Sequence, residues 1–142
     1  MNKKEQKKIL SIVSPVYNEA ENLGEFYSRV INATDNLNLE IEIIYINDGS
    51  QDSTIDIITK QRQIDNRITI IDLSRNFGKE IALTAGLDYS SGDAVIVIDT
   101  DLQDPPELIP KLVEKWREGY DVVNAKRIKR KGESLLKKVM SY

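Results

Sequence analysis

Aliphatic runs of strand length recur along this chain at Ile9 to Val13, Ile41 to Ile46, Ile68 to Ile71 and Ala94 to Ile98, with a weaker one at Val122 to Val123. They are rich in Ile and Val and do not alternate with polar residues, as expected of strands covered on both faces. Between them the apolar positions follow a helical period, over Glu19 to about Asn36, Ser53 to about Gln63, Phe77 to about Tyr89 and Pro106 to about Glu118. Strand alternating with helix builds parallel crossover units. The pattern therefore predicts an α/β fold, a Rossmann-like open, mostly parallel sheet with helices on both faces. Local punctuation sets the boundaries. Asp52, Ser53 and Thr54 offer N-caps after Gly49, Pro105 and Pro106 stand where a first turn tolerates proline, and Gly119 stands where helices commonly stop. The closing stretch GESLLKKVMSY reads as the opening of an amphipathic helix with Leu135, Leu136, Val139 and Met140 on one side. With nothing after it to cover that side, the chain reads as truncated at its C-terminus, and self-association is one way to bury the face.

A length of 142 residues is enough for one domain, residues 1–142, with a core of its own. Hydrophobic residues make up 40% and charged ones 30%, ordinary for a soluble globular protein, and a formal net charge of -3 gives no bulk attraction to nucleic acid. Cysteine and histidine are both absent, which excludes disulfides, thiolate metal sites and imidazole chemistry. Any metal held here is held by oxygen. The N-terminus MNKKEQKKILSIV has lysines but no long apolar core or small-residue cleavage site, and no apolar run approaches a membrane span. The chain reads as cytoplasmic.

In open α/β sheets ligands bind beyond the carboxyl ends of the strands. Those positions hold Pro15, Tyr17, Asn18 and Glu19 after the first strand, Asn47, Asp48 and Gly49 after the second, and Ser74, Arg75 and Asn76 after the third. After the fourth come Asp99, Asp101, Gln103 and Asp104. Two unit charges about 4 Å apart repel by about 4 kcal/mol at an effective dielectric near 20, so carboxylates gathered on one edge call for a cation or for raised pKa values. Side chains two apart in extended backbone project to one face, so Asp99 and Asp101 can address one ion. Mg²⁺ and Mn²⁺ take oxygen ligands, and Mg²⁺ typically uses one or two carboxylates and completes its shell with water and phosphate oxygens. Gln103 can add an amide oxygen, and Asp104 before Pro105 has the form of an N-cap. Lys79, near the start of a predicted helix, brings an ammonium to a helix N-terminus, and both favour phosphate nearby.

The segments SPVYNEAENL, YINDGSQDST and LSRNFGKEIALTAGLDYSSGDAVIVIDTDLQDPPELIPKLVEKWREGYDVV, in this order, resemble the catalytic domain of family-2 glycosyltransferases over nearly the whole chain. The closest resemblance is to the polyprenyl-phosphate sugar transferases, the dolichol-phosphate mannose synthase and bactoprenol glucosyltransferase group. It implies a GT-A-type fold in which this chain is the N-terminal, donor-binding part, with acceptor-site and membrane segments outside it. It implies metal-dependent, inverting transfer from a UDP- or GDP-sugar to a polyprenyl phosphate at the cytoplasmic face of the membrane. By the same resemblance Pro15, Tyr17 and Glu19 line the nucleoside pocket and Asp48 reads the base edge. Asp99, Asp101 and Gln103 hold Mg²⁺ or Mn²⁺ and the donor diphosphate, assisted by Lys79, and Arg127 faces the acceptor phosphate. Asn47 departs from the family, where many members carry Asp.

The basic stretch AKRIKRKGESLLKK reads either as a solvated face or as a surface that meets a lipid phosphate on an anionic membrane, where each basic residue contributes about 1 kcal/mol. A polyprenyl phosphate is already ionised at neutral pH, so its attack on the anomeric carbon needs little or no general base, and the missing histidine costs nothing. Three rivals share the fold. A glycan-hydroxyl acceptor needs a carboxylate base, and no clear Glu-Asp pair follows residue 110. A receiver-like module calls for an acidic pair after the first strand, where this chain has Asn18 and Glu19. A fragment that binds nucleotide without transferring sugar is the third.

Overall fold

The computed structural model describes residues 4–128 and 136–141, with side chains as far as residue 125. Strands β1 (Ile9–Val16), β2 (Glu40–Asn47), β3 (Ile68–Asp72) and β4 (Ala94–Val97) form one sheet in the order β3-β2-β1-β4, every pair parallel. Helices α1 (Leu23–Thr34), α2 (Thr54–Ile64) and α3 (Lys79–Tyr89) link them, and a 3-10 turn at Pro106–Leu108 leads into α4 (Ile109–Arg117).

Each expected aliphatic run is a strand, and the two faces of the sheet are covered differently. Leu10, Ile12, Ile43 and Tyr45 are buried with Phe26 and Val30 of α1, Ile58 of α2 and Val113 of α4. Val13, Ile44 and Ile46 pack instead against Ala82 of α3. Fully burying one such aliphatic side chain is worth about 1.5–3 kcal/mol, so β1 and β2 gain on both faces, whereas the edge strand β4 leaves Val95 and Val97 exposed on one of its faces, against the expectation of cover on both. Gly86 lets α3 lie close, because a Cβ there would stand 2.5 Å from Ile46 Cδ1 and 2.6 Å from Val13 Cγ1.

Three helices begin later than their periodicity suggests, each for a local reason. Glu19 and Ala20 give their backbone N–H groups to Thr54 Oγ1 (3.0 Å) and Asp52 Oδ2 (3.3 Å), so the chain turns there and α1 starts at Leu23. Phe77 and Gly78 give theirs to Asp48, so α3 starts at Lys79. Pro110 has no N–H to give, and the first turn after Pro106 is 3-10 before α4 forms. Gly119 ends α4 as expected, its N–H returning to the Trp116 carbonyl at 2.9 Å. Pro15 is accommodated inside central β1. The Val13 carbonyl faces β4 and the Val16 carbonyl faces β2, so by alternation the missing N–H of Pro15 falls on the β4 side, beyond the last β4 residue Val97.

The C-terminal expectation is corrected. The weak run at Val122 to Val123 is the start of a longer strand, β5 (Val123–Ile128), which pairs antiparallel with β6 (Leu136–Ser141) in a separate two-stranded sheet. Leu136, Val139 and Met140 therefore lie on a strand and not on a helix, while Leu135 lies outside the described residues. The apolar residues of LKKVMS fall at helical spacing, but six residues are too few for the period to decide, and the partner strand does.

Away from the strand ends, Tyr27 of α1 donates to Asp65 Oδ2 at 2.6 Å, and Arg67 closes the other side through Nε to Oδ1 (2.9 Å) and Nη2 to Oδ2 (2.8 Å). The Arg67 hydrogen bonds, joined by the one from Tyr27, hold the Asp65 carboxyl well below the usual carboxylate range. A depressed folded pKa contributes stability that is present above the unfolded value near 3.9 and lost as pH falls below it. Thermal unfolding from about pH 6 to pH 2 should therefore show the wild-type melting temperature falling more steeply below about pH 4 than that of Asp65→Asn. Parallel curves would remove this assignment.

Candidate active site

The sheet order reverses between β1 and β4, because the chain winds from β1 outward to β3 and then returns to the other side of β1. A crevice opens at such a reversal, beyond the carboxyl ends of the flanking strands. Here it is a cavity of about 240 Å³. Pro15, Val16, Tyr17 and Glu19 enter it from β1 and its loop, Asp48 from β2, Lys79 from the first turn of α3, and Asp99, Thr100 and Asp101 from the loop after β4. Residues far apart in sequence meet because parallel strands deliver all their C-terminal loops to one edge.

The carboxylates of this lining are already engaged, Glu19 with the Asn22 amide at 2.9 Å. Asp48 is only 4% exposed; its Oδ1 accepts the Phe77 N–H at 2.8 Å and its Oδ2 the Gly78 N–H at 3.2 Å. It therefore fixes the entry to α3 and with it the position of Lys79. Gly49, at φ 75, lies against that same loop, and a Cβ on it would stand 2.4 Å from Asn76 N. Lys79 Nζ donates to Asp99 Oδ2 at 2.6 Å. Asp101 is held by a turn of its own, Oδ1 accepting the Gln103 N–H at 3.1 Å, with Leu102 at φ 65 in the left-handed region. Gln103 thus supports Asp101 through its backbone, and the cavity lining stops at Asp101.

A latch ties the loops after β1 and β2 together. The Asn18 N–H donates to Ser50 Oγ (3.0 Å), the Gln51 N–H to Asn18 Oδ1 (2.8 Å), and the Glu19 N–H to the fully buried Thr54 hydroxyl (3.0 Å). Sequence reasoning placed Asp52 and Thr54 as helix caps and gave Asn18 no role. The available signal was the density of Asn, Ser, Thr and Asp in both loops, the residue types that bond neighbouring backbone. Asn18 itself has a φ of 49, which Asn tolerates better than most residues. The departure at Asn47 also has a local reason: its amide donates to Asp72 Oδ1 at 2.9 Å, where a carboxylate would repel a carboxylate. Thr100, 1% exposed, has a hydroxyl without a hydrogen-bond partner among the described residues, and sequence reasoning gave it no role.

The cavity suits a hard cation. Its charged lining is Glu19, Asp48, Asp99 and Asp101 against the ammonium of Lys79, all hard oxygen donors apart from that one cation. Among the described residues no group of three acidic side chains forms a ready cage. A pair of carboxylates such as Asp99 and Asp101 fits Mg²⁺ or Mn²⁺ that completes its shell with water and phosphate oxygens. The Arg127 side chain and residues 129–135 lie outside what is described, although the Arg127 backbone pairs with Lys137 between β5 and β6. No helix among the described residues is long and apolar enough to cross a membrane.

Known proteins share both the sequence and the fold. A bactoprenol glucosyl transferase of Shigella phage SfV is 50% identical over 91% of this chain, which covers 42% of that protein. The undecaprenyl-phosphate 4-deoxy-4-formamido-L-arabinose transferase of Salmonella choleraesuis is 45% identical over 94% of this chain, which covers 41% of that protein. A mannosyltransferase from Pyrobaculum calidifontis, solved in complex with GDP-Man and Mn²⁺, superposes with a TM-score of 0.68 at 22% identity over 89% of this chain and 37% of its own. That likeness, at low identity, establishes a shared GT-A-type fold. The sequence pattern of glycosyl transferase family 2 matches residues 11–141, from β1 through the acidic loop to β6. The chain belongs to glycosyl transferase family 2.

Proposed function

We propose that this chain is the donor-binding part of a glycosyltransferase that moves a sugar from a nucleotide-diphospho-sugar to a polyprenyl phosphate. The observation that carries the proposal is the carboxylate-lined cavity at the sheet reversal, into which Asp99 and Asp101 both project. The names of the bactoprenol and undecaprenyl-phosphate transferases support a lipid phosphate acceptor, and the bound GDP-Man and Mn²⁺ of the mannosyltransferase support a nucleotide donor and a divalent metal.

In this reading Pro15, Tyr17 and Glu19 border the nucleoside. Asp48 reads the base edge with the lone pairs left over from the Phe77 and Gly78 N–H groups. Asp99 and Asp101, assisted by Gln103, hold Mg²⁺ or Mn²⁺. When bound, the metal offsets charge developing on the departing nucleoside diphosphate. The two carboxylates act by position and charge, and no proton passes through them. Lys79 turns its ammonium to the diphosphate. Arg127 faces the acceptor phosphate, whose ionised oxygen attacks the anomeric carbon from the side opposite the leaving group and inverts it. The basic stretch after residue 125 draws the enzyme to an anionic cytoplasmic membrane face.

Calorimetric titration of the chain with UDP and with GDP, each with and without Mn²⁺, tests the donor site. Binding of one nucleotide only in the presence of metal is the expected result, and it names the nucleotide. A folded chain that binds neither would remove the proposal.

A further inference from the structure

Resting on that donor-site reading, we propose that Lys79 is the resident cation of the Asp99 carboxylate, which it yields to the metal only when a diphosphate arrives to take the ammonium. Without ligands, Lys79 Nζ stands 2.6 Å from Asp99 Oδ2, the length of a charge-assisted hydrogen bond. The backbone from which Lys79 reaches Asp99 is fixed, because α3 begins at Lys79 and its entry is pinned. Asp48, buried under the loop, binds the N–H groups of the two residues immediately before Lys79, and Gly49 lets that loop pack close, since a Cβ there would stand 2.4 Å from Asn76 N.

The arrangement answers the charge problem of the cavity in its empty state. Asp99 and Asp101 share a lining with Glu19 and Asp48, and one ammonium bonded to Asp99 relieves part of their mutual repulsion. The same ammonium must oppose a divalent ion at Asp99, both by occupying the carboxylate and by like charge. A diphosphate reverses the balance, since its oxygens offer Lys79 an alternative anion and offer the metal further ligands. Lys79 is 62% exposed at its side chain, so it can swing away at small cost, and the Asp99 side chain, 32% exposed, remains open to the incoming ion. Metal and nucleotide are thereby coupled, each strengthening the binding of the other by the same factor.

The test is Mn²⁺ affinity, read from the electron paramagnetic resonance signal of free Mn²⁺, with and without saturating UDP or GDP. It compares the wild-type chain with Lys79→Met, Lys79→Arg and Arg75→Met. Arg75, whose guanidinium lies 4.4 Å from the Phe77 ring centre, is a cation of the same loop that leaves the Asp99 pair intact when removed. Lys79→Met should bind Mn²⁺ alone about threefold to tenfold tighter than wild type, an exposed ion pair being weak and a nearby like charge adding to it. Nucleotide should then improve Mn²⁺ binding far less in Lys79→Met than in wild type. Lys79→Arg should stay near wild type, and Arg75→Met should tighten Mn²⁺ less than Lys79→Met. If wild type binds Mn²⁺ with nucleotide but Lys79→Met binds Mn²⁺ alone no tighter than wild type, this inference is overturned and the donor site stands. Equal tightening by Arg75→Met also overturns it, leaving only a general field effect. If no chain binds Mn²⁺ with or without either nucleotide, the donor-site reading itself falls and the inference with it.

Discussion

Asp101→Asn is expected to weaken metal-dependent nucleotide binding by about 100-fold or more while leaving the melting temperature almost unchanged. Removing even an outer partner of a metal ligand typically costs about 10-fold to 100-fold, and Asp101 is proposed as a ligand itself. The fold survives because the structural duty of Asp101 is to accept the Gln103 N–H at 3.1 Å, which an amide oxygen performs equally well. Only the charge is lost. Asp99→Asn provides an informative contrast, since it removes both a proposed ligand and the partner of Lys79. Titration calorimetry and thermal unfolding on the same samples separate the two effects. Near-normal metal-dependent affinity in Asp101→Asn would exclude this carboxylate from the site, as would near-normal transfer in a longer chain carrying the same change.

The largest stability effect is expected from Gly49→Ala. The residue sits at φ 75, and a Cβ there would meet Asn76 N at 2.4 Å and Arg75 C at 2.6 Å, both of them backbone atoms that cannot rotate aside. The left-handed conformation alone costs a non-glycine residue about 1–2 kcal/mol. Shifting the loop adds the loss of the Phe77 and Gly78 bonds to Asp48, for a total of about 3 kcal/mol. For a chain of this length that corresponds to a fall of roughly 6–12 °C in melting temperature. Nucleotide affinity should fall with it, because the displaced loop carries Lys79. A melting temperature within about 2 °C of wild type would show that the loop yields freely and that the proposed crowding is absent.

Much of the fold and part of the site were legible in the residues themselves. The four Ile and Val runs with helical stretches between them specify parallel strands, two of them central, and the ligand edge of such a sheet follows from its topology. Pro15, Tyr17, Glu19, Asp48, Asp99 and Asp101 could therefore be named from their positions just beyond the aliphatic runs and Lys79 from the start of a predicted helix, and all seven line one cavity. Short-range pattern failed where a distant partner decides. The stretch from Leu136 to Ser141 spaces its apolar residues as a helix would, and pairing with β5 selects the strand instead.

The sequence by itself determined the class of fold, the edge at which the candidate site gathers and the hard-oxygen character of any metal donor set, since these depend on residue type and local period. Tertiary structure decided how those groups are engaged. That Asp48 spends its oxygens on Phe77 and Gly78, that Lys79 reaches Asp99 and that Asn18 bridges to Gln51 are bonds across 20 to 33 positions of chain. No local period encodes a hydrogen bond of that span, because its partners meet only after the hydrophobic faces of separate crossover units have been buried on a common sheet.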